Sequence, residues 1–254
     1  MQFYLGTHKP RWLAEPAFEA VPLFVSLRRL HYERLKRDIR ARTFWALDSG
    51  AFTEIAMHGT WTISARDYAR EVEDIADQVG RMDGAYVQDW MVEPEMLEKT
   101  GKSVFEHQML TTRSYLELRD LAPQIPWIPV LQGYSPAQYP QHLDHYDHAG
   151  IDLLKEPVVG LGSVCRRQHT QEAETIIRVL YRIGIRLHAF GFKVGGLRRA
   201  GKYLRSADSM AWSYQARYRP VKLSGCSHRG TCQNCPQFAL LWRRRLLRML
   251  GEHL

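Results

Sequence analysis

Three aspartates and a glutamine stand where short apolar runs of the chain end. LDSGAF (47–52) carries Asp48, YVQDW (86–90) carries Asp89, PVLQGY (129–134) carries Gln132 and SADSMAW (206–212) carries Asp208. Carboxylates act as general acids, general bases or nucleophiles, and their surroundings decide which. Asp48 precedes Ser-Gly-Ala, small residues that let backbone approach a ligand; it is a general base, a hydrogen-bond acceptor or the cap of the following turn. Asp89, sharing a mouth with Asp48, has its pKa raised by like charge. An acid there accepts the paired N–H donors of a guanine-type edge, or else pairs with an arginine. Gln132 donates and accepts together, so it reads a carbonyl and an N–H on one heterocycle. Asp208 lies among small residues in a buried run, where an unpaired carboxylate is costly, which argues for a task.

Two further stretches belong with these. GLGSVCRR (160–167) offers backbone N–H groups for a carbonyl or phosphate, or simply turns a strand into a helix. Its Cys165 is read as a packing residue, although two adjacent arginines would lower a thiol pKa. HAFGFK (188–193) places His188 as a ligand contact or a hydrogen-bonded core residue. A separate cluster, CSHRGTCQNC (226–235), groups Cys226, His228, Cys232 and Cys235. Three thiolates and an imidazole satisfy tetrahedral Zn2+, and a closed four-ligand shell marks a structural rather than a catalytic metal. Reduced cysteines in a loop are the alternative, and a disulfide is disfavoured by the expected compartment.

The elements that must hold these groups follow from periodicity. Strands are expected near 3–6, 22–27, 44–48, 84–89, 127–132, 158–162, 185–191 and 206–212. Amphipathic helices are expected over 64–80, 103–122, 135–150 and 169–184, with a shorter one over 194–204. Strands alternating with helices over this span predict a (β/α)8 TIM barrel, with a doubly wound sheet as the competing architecture. The polar residues decide for the barrel, because barrel sites assemble at the C-terminal ends of several strands. The barrel is assigned to residues 1–213. Residues 214–254 form a zinc-binding appendage: a loop, the Cys/His cluster and a basic amphipathic helix from about Pro236 to Gly251.

The chain of 254 residues has a formal charge of +8, and its arginines bunch late, as in WRRRLLR (242–248). That balance suits a polyanionic partner. The N-terminus reads as neither export signal nor anchor, and no run approaches the roughly 20 apolar residues of a membrane helix. A cytoplasmic protein without a membrane partner is expected.

The motifs taken in order resemble those of the tRNA-guanine transglycosylases. DSGAF is similar to their DSGGF/Y, LQGY to VQGG, GLGSV to their G-L-(A/S)-V-G turn and HAFGFK to HLxG, and the late cysteines fall where their zinc site lies. The short chain, SADSMAW and the C-x2-C-P tail resemble more closely the DNA-acting branch, the DpdA-like 7-deazaguanine transglycosylases of phages and genomic islands. The resemblance implies a base-exchanging pentosyltransferase: a carboxylate attacks C1′, guanine leaves, and a free 7-deazaguanine of the preQ0 type enters from the same face. It implies Asp208 as nucleophile and Asp48 as the proton-transferring acid. Phe52 stacks on the base, Asp89 and Gln132 read its edge, Gly160 and Leu161 contribute backbone contacts, and His188 lies nearby. The tRNA enzymes carry a second acid on the Asp208 strand that is missing here, and Lys193 replaces a small residue. Lys193, Arg217, Arg243 and Arg244 are expected at the nucleic-acid backbone. Because the tRNA enzymes draw their histidine ligand from a later helix, His253 is the alternative to His228. DNA is the expected substrate and tRNA the runner-up. Further DNA-modification proteins are candidate partners, and a homodimer is compatible with how the tRNA enzymes assemble. A non-catalytic zinc-containing nucleic-acid-binding barrel is the competing class, opposed by acids that would repel phosphate. A barrel metallohydrolase would need more strand-end histidines than His188.

Overall fold

The computed structural model describes residues 1–32, 39–219 and 221–251. His253 lies outside the described residues. Nine parallel strands form one sheet: β1 (Gln2–Thr7), β2 (Leu23–Ser26), β3 (Trp45–Asp48), β4 (Met82–Tyr86), β5 (Trp127–Ile128), β6 (Val130–Leu131), β7 (Val159–Leu161), β8 (Leu187–Ala189) and β9 (Ser206–Ser209). Their order is β5-β4-β3-β2-β1-β9-β8-β7-β6, so β5 and β6 are the two ends of the sheet. Only Pro129 separates them in sequence. Val87 N–H donates to Ile128 C=O on one side, and Gly160 N–H donates to Pro129 C=O on the other. One stretch of chain therefore bridges both edges and closes the sheet into a barrel. Proline is tolerated at this junction because the ladder asks only for its carbonyl. Counting 127–131 as one stave gives the eight strands expected from the sequence.

The register explains how the barrel fills. Tyr4 pairs with Asp208, Phe24 with Gly6 and Ala46, and His188 with Gly160 and Ser206, so these positions share the inner face. Tyr4, Phe24, Tyr86, His188 and Phe190 meet there with ring centroids 4.7–6.3 Å apart. Glycine makes room for them: a Cβ on Gly160 would approach the Phe190 ring to 2.8 Å. The aromatic cluster is thus a plug that seals the barrel beneath its C-terminal mouth. On the outer face, Leu5, Leu23, Val25, Trp45, Leu47 and Leu187 are wholly buried under the surrounding helices.

Ten helices accompany the strands among the described residues: α1 (Leu27–Tyr32), α2 (Ala51–His58), α3 (Ala65–Val79), α4 (Pro94–Thr100), α5 (Val104–Leu121), α6 (Gln138–His148), α7 (Gln171–Ile183), α8 (Val194–Ala200), α9 (Ala211–Tyr218) and α10 (Pro236–Met249). Ser64 caps α3, and Ser103 forms a capping box with Glu106 on α5. Two expectations need correction. The last strand stops at Ser209 rather than Trp212. Residues 213–218, expected as loop, are helical and belong to α9, because Trp212 and Ala216 recur at helical spacing and bury one face of that helix. None of these helices is long and apolar enough to cross a membrane.

β1 is followed by two short 3-10 turns, Pro10–Ala14 and Pro16–Phe18, in place of a helix. Trp12 stacks on Phe18 at 4.5 Å and meets Trp212 at 5.3 Å. Trp212 is fully buried and donates its indole N–H to Gly6 C=O at 2.8 Å. Trp212→Ala should therefore destabilise the fold by about 3–5 kcal/mol, read as a lowered denaturation midpoint.

Candidate active site

A cavity of about 630 Å³ opens at the C-terminal ends of the strands, directly above the aromatic plug. Asp48 ends β3 and Asp208 lies in β9, with Asp89 three residues beyond β4; all three carboxylates line the cavity. A second cavity, of about 530 Å³, lies at the opposite end of the strands beside Asp83, Trp127 and Val158.

The acids have different surroundings. Asp48 accepts Gly50 N–H at 3.2 Å, and Gly50 takes the φ of +83° that such a tight turn needs. Burial, reinforced by the nearby Asp208 charge, pushes the Asp48 carboxyl up from its ordinary value, against the hydrogen bonds from Gly50 and Ser26. Asp208 is tethered through one oxygen: Oδ1 accepts Gly191 N–H at 2.7 Å and lies 3.4 Å from His188 Nε2. Its Oδ2 has no hydrogen-bond partner among the described residues. His188 is fully buried, with Nδ1 at 2.9 Å from Ser206 Oγ. It belongs to the floor beneath Asp208 and not to the cavity wall.

Asp89 sits in a connected polar chain. Gln132 Nε2 donates to Asp89 Oδ2 at 2.5 Å, while Gln132 Oε1 faces Ser163 Oγ at 2.8 Å. Ser163 Oγ lies 2.7 Å from Glu93 Oε2 and accepts Val92 N–H at 3.0 Å. Burial, then the Asp48 charge, raises Asp89 to about 7 despite the Gln132 hydrogen bond. Burial also raises Glu93. A carboxyl near neutrality can both accept and release a proton at physiological pH. Gly162 keeps the chain intact, since a Cβ there would fall 2.3 Å from Gln132 Nε2.

The remaining expected residues fall as follows. Phe52 stands on α2, about half exposed at the cavity wall, with the Arg166 guanidinium 4.7 Å from its ring centre. Gly160 and Leu161 lie within β7, where Gly160 N–H is taken by Pro129, and the cavity wall begins at Gly162 and Ser163. Cys165 also lines the cavity. Burial lifts its thiol to about 11, so the two adjacent arginines do not make it a thiolate. Lys193, Arg217 and Arg244 are exposed. Arg243 corrects the expectation of a phosphate contact. It is 8% exposed, on the face of α10 shared with Ala239, Trp242 and Leu247, and its Nη2 donates to Phe3 C=O at 3.4 Å.

Glu93 and Ser163 are the site residues that sequence patterns missed as side chains. Glu93 precedes the proline that opens α4 and reads as a helix cap, yet its side chain turns to Ser163. Ser163 adopts φ +56°, a left-handed conformation uncommon outside glycine, which a glycine-rich motif only hints at.

Away from the mouth, Cys226, His228, Cys232 and Cys235 bring one donor atom each to within 4.8 Å of all the others. Sγ of Cys226 lies 3.6 Å from that of Cys235 and 3.9 Å from that of Cys232, and His228 Nε2 lies 3.5 Å from Cys232 Sγ. These are the edges of a tetrahedral shell rather than of a disulfide, and the cluster could hold a metal ion.

No curated protein matches the chain. The family DpdA, DeoxyPurine in DNA protein A, matches residues 1–253. With that match spanning the barrel, its carboxylate-lined mouth and the cysteine cluster, the chain belongs to the DpdA family, the 7-deazaguanine DNA transglycosylases related to the tRNA-guanine transglycosylases.

Proposed function

We propose that the protein removes guanine from a DNA nucleotide and inserts a 7-deazaguanine of the preQ0 type, through a covalent aspartyl–deoxyribose intermediate. The observation that carries this reading is the sharing of one cavity by Asp48, Asp89 and Asp208 in three different environments. Base exchange with retention needs that division of labour: one carboxylate attacks, another carries a proton, and a third orients the base.

Asp208 attacks C1′ through the oxygen left free of hydrogen bonds, and the bond from C1′ to the base nitrogen breaks. Asp48, whose proton is held by burial, protonates the departing guanine. The incoming base then gives its ring proton to the Asp48 carboxylate and displaces Asp208 from C1′. Two inversions restore the original face. Asp89 accepts donors on the base edge, and Gln132, fully buried with its amide hydrogen-bonded to Asp89 and Ser163, orients that carboxylate from behind the cavity wall. Phe52 stacks on the ring, and the turn after β7 supplies backbone contacts. Lys193, Arg217 and Arg244 meet phosphates.

The Cys226, His228, Cys232 and Cys235 shell fits zinc. A Zn–S bond of about 2.3 Å sets tetrahedral thiolates about 3.8 Å apart, against 3.6 and 3.9 Å here. With four protein ligands the ion would hold structure and leave no position for substrate. The clip secures the 214–254 appendage to the 1–213 barrel: Ser213 Oγ donates to Gln233 C=O at 2.8 Å, and Arg243 on the helix that follows donates to Phe3 C=O at 3.4 Å. An enzyme of this kind works in the cytoplasm, alongside other DNA-modification proteins and with a homodimer as a compatible assembly.

Exchange of labelled guanine into duplex DNA and into tRNA tests the reading directly; incorporation into tRNA alone overturns it. Asp48→Asn should lower turnover by about 10²–10⁴-fold with an unchanged melting temperature. Asp208→Asn should abolish both exchange and the protein–DNA adduct seen on denaturing gels.

The pH dependence follows from Asp89. Only its ionised form accepts the donors of the base edge, and its pKa is about 7. Base affinity should be flat above that pH and fall about tenfold per unit below it, with Asp89→Asn removing the slope. Metal analysis should find one zinc per chain, lost in Cys235→Ser and lowered in His228→Ala.

A further inference from the structure

Past the cavity rim, α9 carries two tyrosines that the reaction does not use. Tyr214 and Tyr218 are 60% and 63% exposed, and their rings lie 4.3 Å apart, tilted by 36°. Spaced four residues apart, they share one face of the helix. Large aromatic surface left in water is costly, and a pair of adjoining rings is a preformed surface rather than a scattered residue. Its place in the fold is specific. α9 starts immediately after Met210, which lines the cavity, and Met210 follows the strand that carries Asp208. Lys193 stands beside the pair, with Nζ 5.8 Å from the Tyr214 ring centre. Lys193 follows the β8 turn, whose Phe190 and Gly191 also line the cavity. The platform therefore continues the mouth outward and sets a cation against its aromatic face.

We propose that Tyr214 and Tyr218 form a stacking platform for an unpaired DNA base adjoining the target nucleotide, with Lys193 holding the phosphate between them. This deepens the base-exchange reading and rests on it. The chemistry favours a nucleobase because exposed rings edged by a cation combine π-stacking with phosphate attraction, the pairing used on single strands. It also answers a geometric need: a target base drawn into a barrel mouth leaves its neighbour without a stacking partner on that side. The rings replace the stacking so lost.

Fluorescence anisotropy tests this with a labelled single-stranded oligodeoxynucleotide and an abasic strand of equal length. Wild-type protein should bind the base-bearing strand more tightly. Tyr214→Ala and Tyr218→Ala should each weaken that binding by roughly tenfold, leave the abasic strand unaffected and keep the salt dependence. Tyr214→Phe should restore affinity, whereas Lys193→Ala should weaken both strands and reduce the salt slope by about 1. Tyrosine variants that bind both strands like wild type, or that weaken both equally, overturn the platform. Base exchange is measured separately. Tyrosine-dependent binding without exchange on DNA would sink the catalytic reading alone, and exchange with tyrosine-independent binding would sink the platform alone.

Discussion

Closure of the parallel sheet at Pro129 is the constraint on which everything else depends. A single stretch serves two neighbours: Ile128 accepts from β4 and Pro129 from β7. In an open sheet, strands β3 and β9 would end along a line. In a closed one, their C-terminal ends converge on a ring, and residues 160 positions apart in sequence share one cavity. That convergence makes Asp48 and Asp208 neighbours, and the Asp208 charge helps to raise the Asp48 carboxyl. The aromatic plug completes the arrangement. By sealing the barrel beneath the mouth it removes water from below the carboxylates, so burial dominates the behaviour of Asp48 and Asp89.

The polar residues of the mouth then differ by how they are held rather than by type. Asp208 is fixed by a backbone donor on β8's turn, Asp48 by the turn that follows its own strand, and Asp89 by an amide from a third strand. Such supports come from separate elements of a rigid scaffold, so each carboxylate is oriented independently of the others. The Glu93–Ser163–Gln132–Asp89 chain extends that support outward by two more side chains, and Ser163 adopts a left-handed backbone conformation to enter it.

Much of this was legible in the sequence. The strands of the barrel coincide with the runs read as strands, and the acid or amide at four of them, Asp48, Asp89, Gln132 and Asp208, marked the mouth, because a barrel reuses the same end of every strand. What escaped was held by tertiary packing. Helix α9 has too short an apolar stripe to stand out, and only the fit of Trp212 against Trp12 and Gly6 gives it purpose. WRRRLLR reads as a solvated basic face, but helical geometry divides it: Arg244, Arg245 and Arg248 face water while Arg243 turns under the barrel. Glu93 enters from a loop, and loop side chains have no periodicity to betray their direction. The approximate place of the cysteine cluster was clear from spacing alone, since four donors within ten residues have few ways to point apart.

The contact between the two ends of the described chain bears on how the protein is made. β1 pairs with β9 and packs against α10, with the Phe3 and Trp242 rings 6.1 Å apart. β1 is synthesised about 200 residues ahead of β9 and thus finds its neighbour on that side only after the intervening strands have emerged. During synthesis its apolar face waits with half its hydrogen bonds unmade, a high-contact-order closure that makes folding slow and exposes an edge to aggregation.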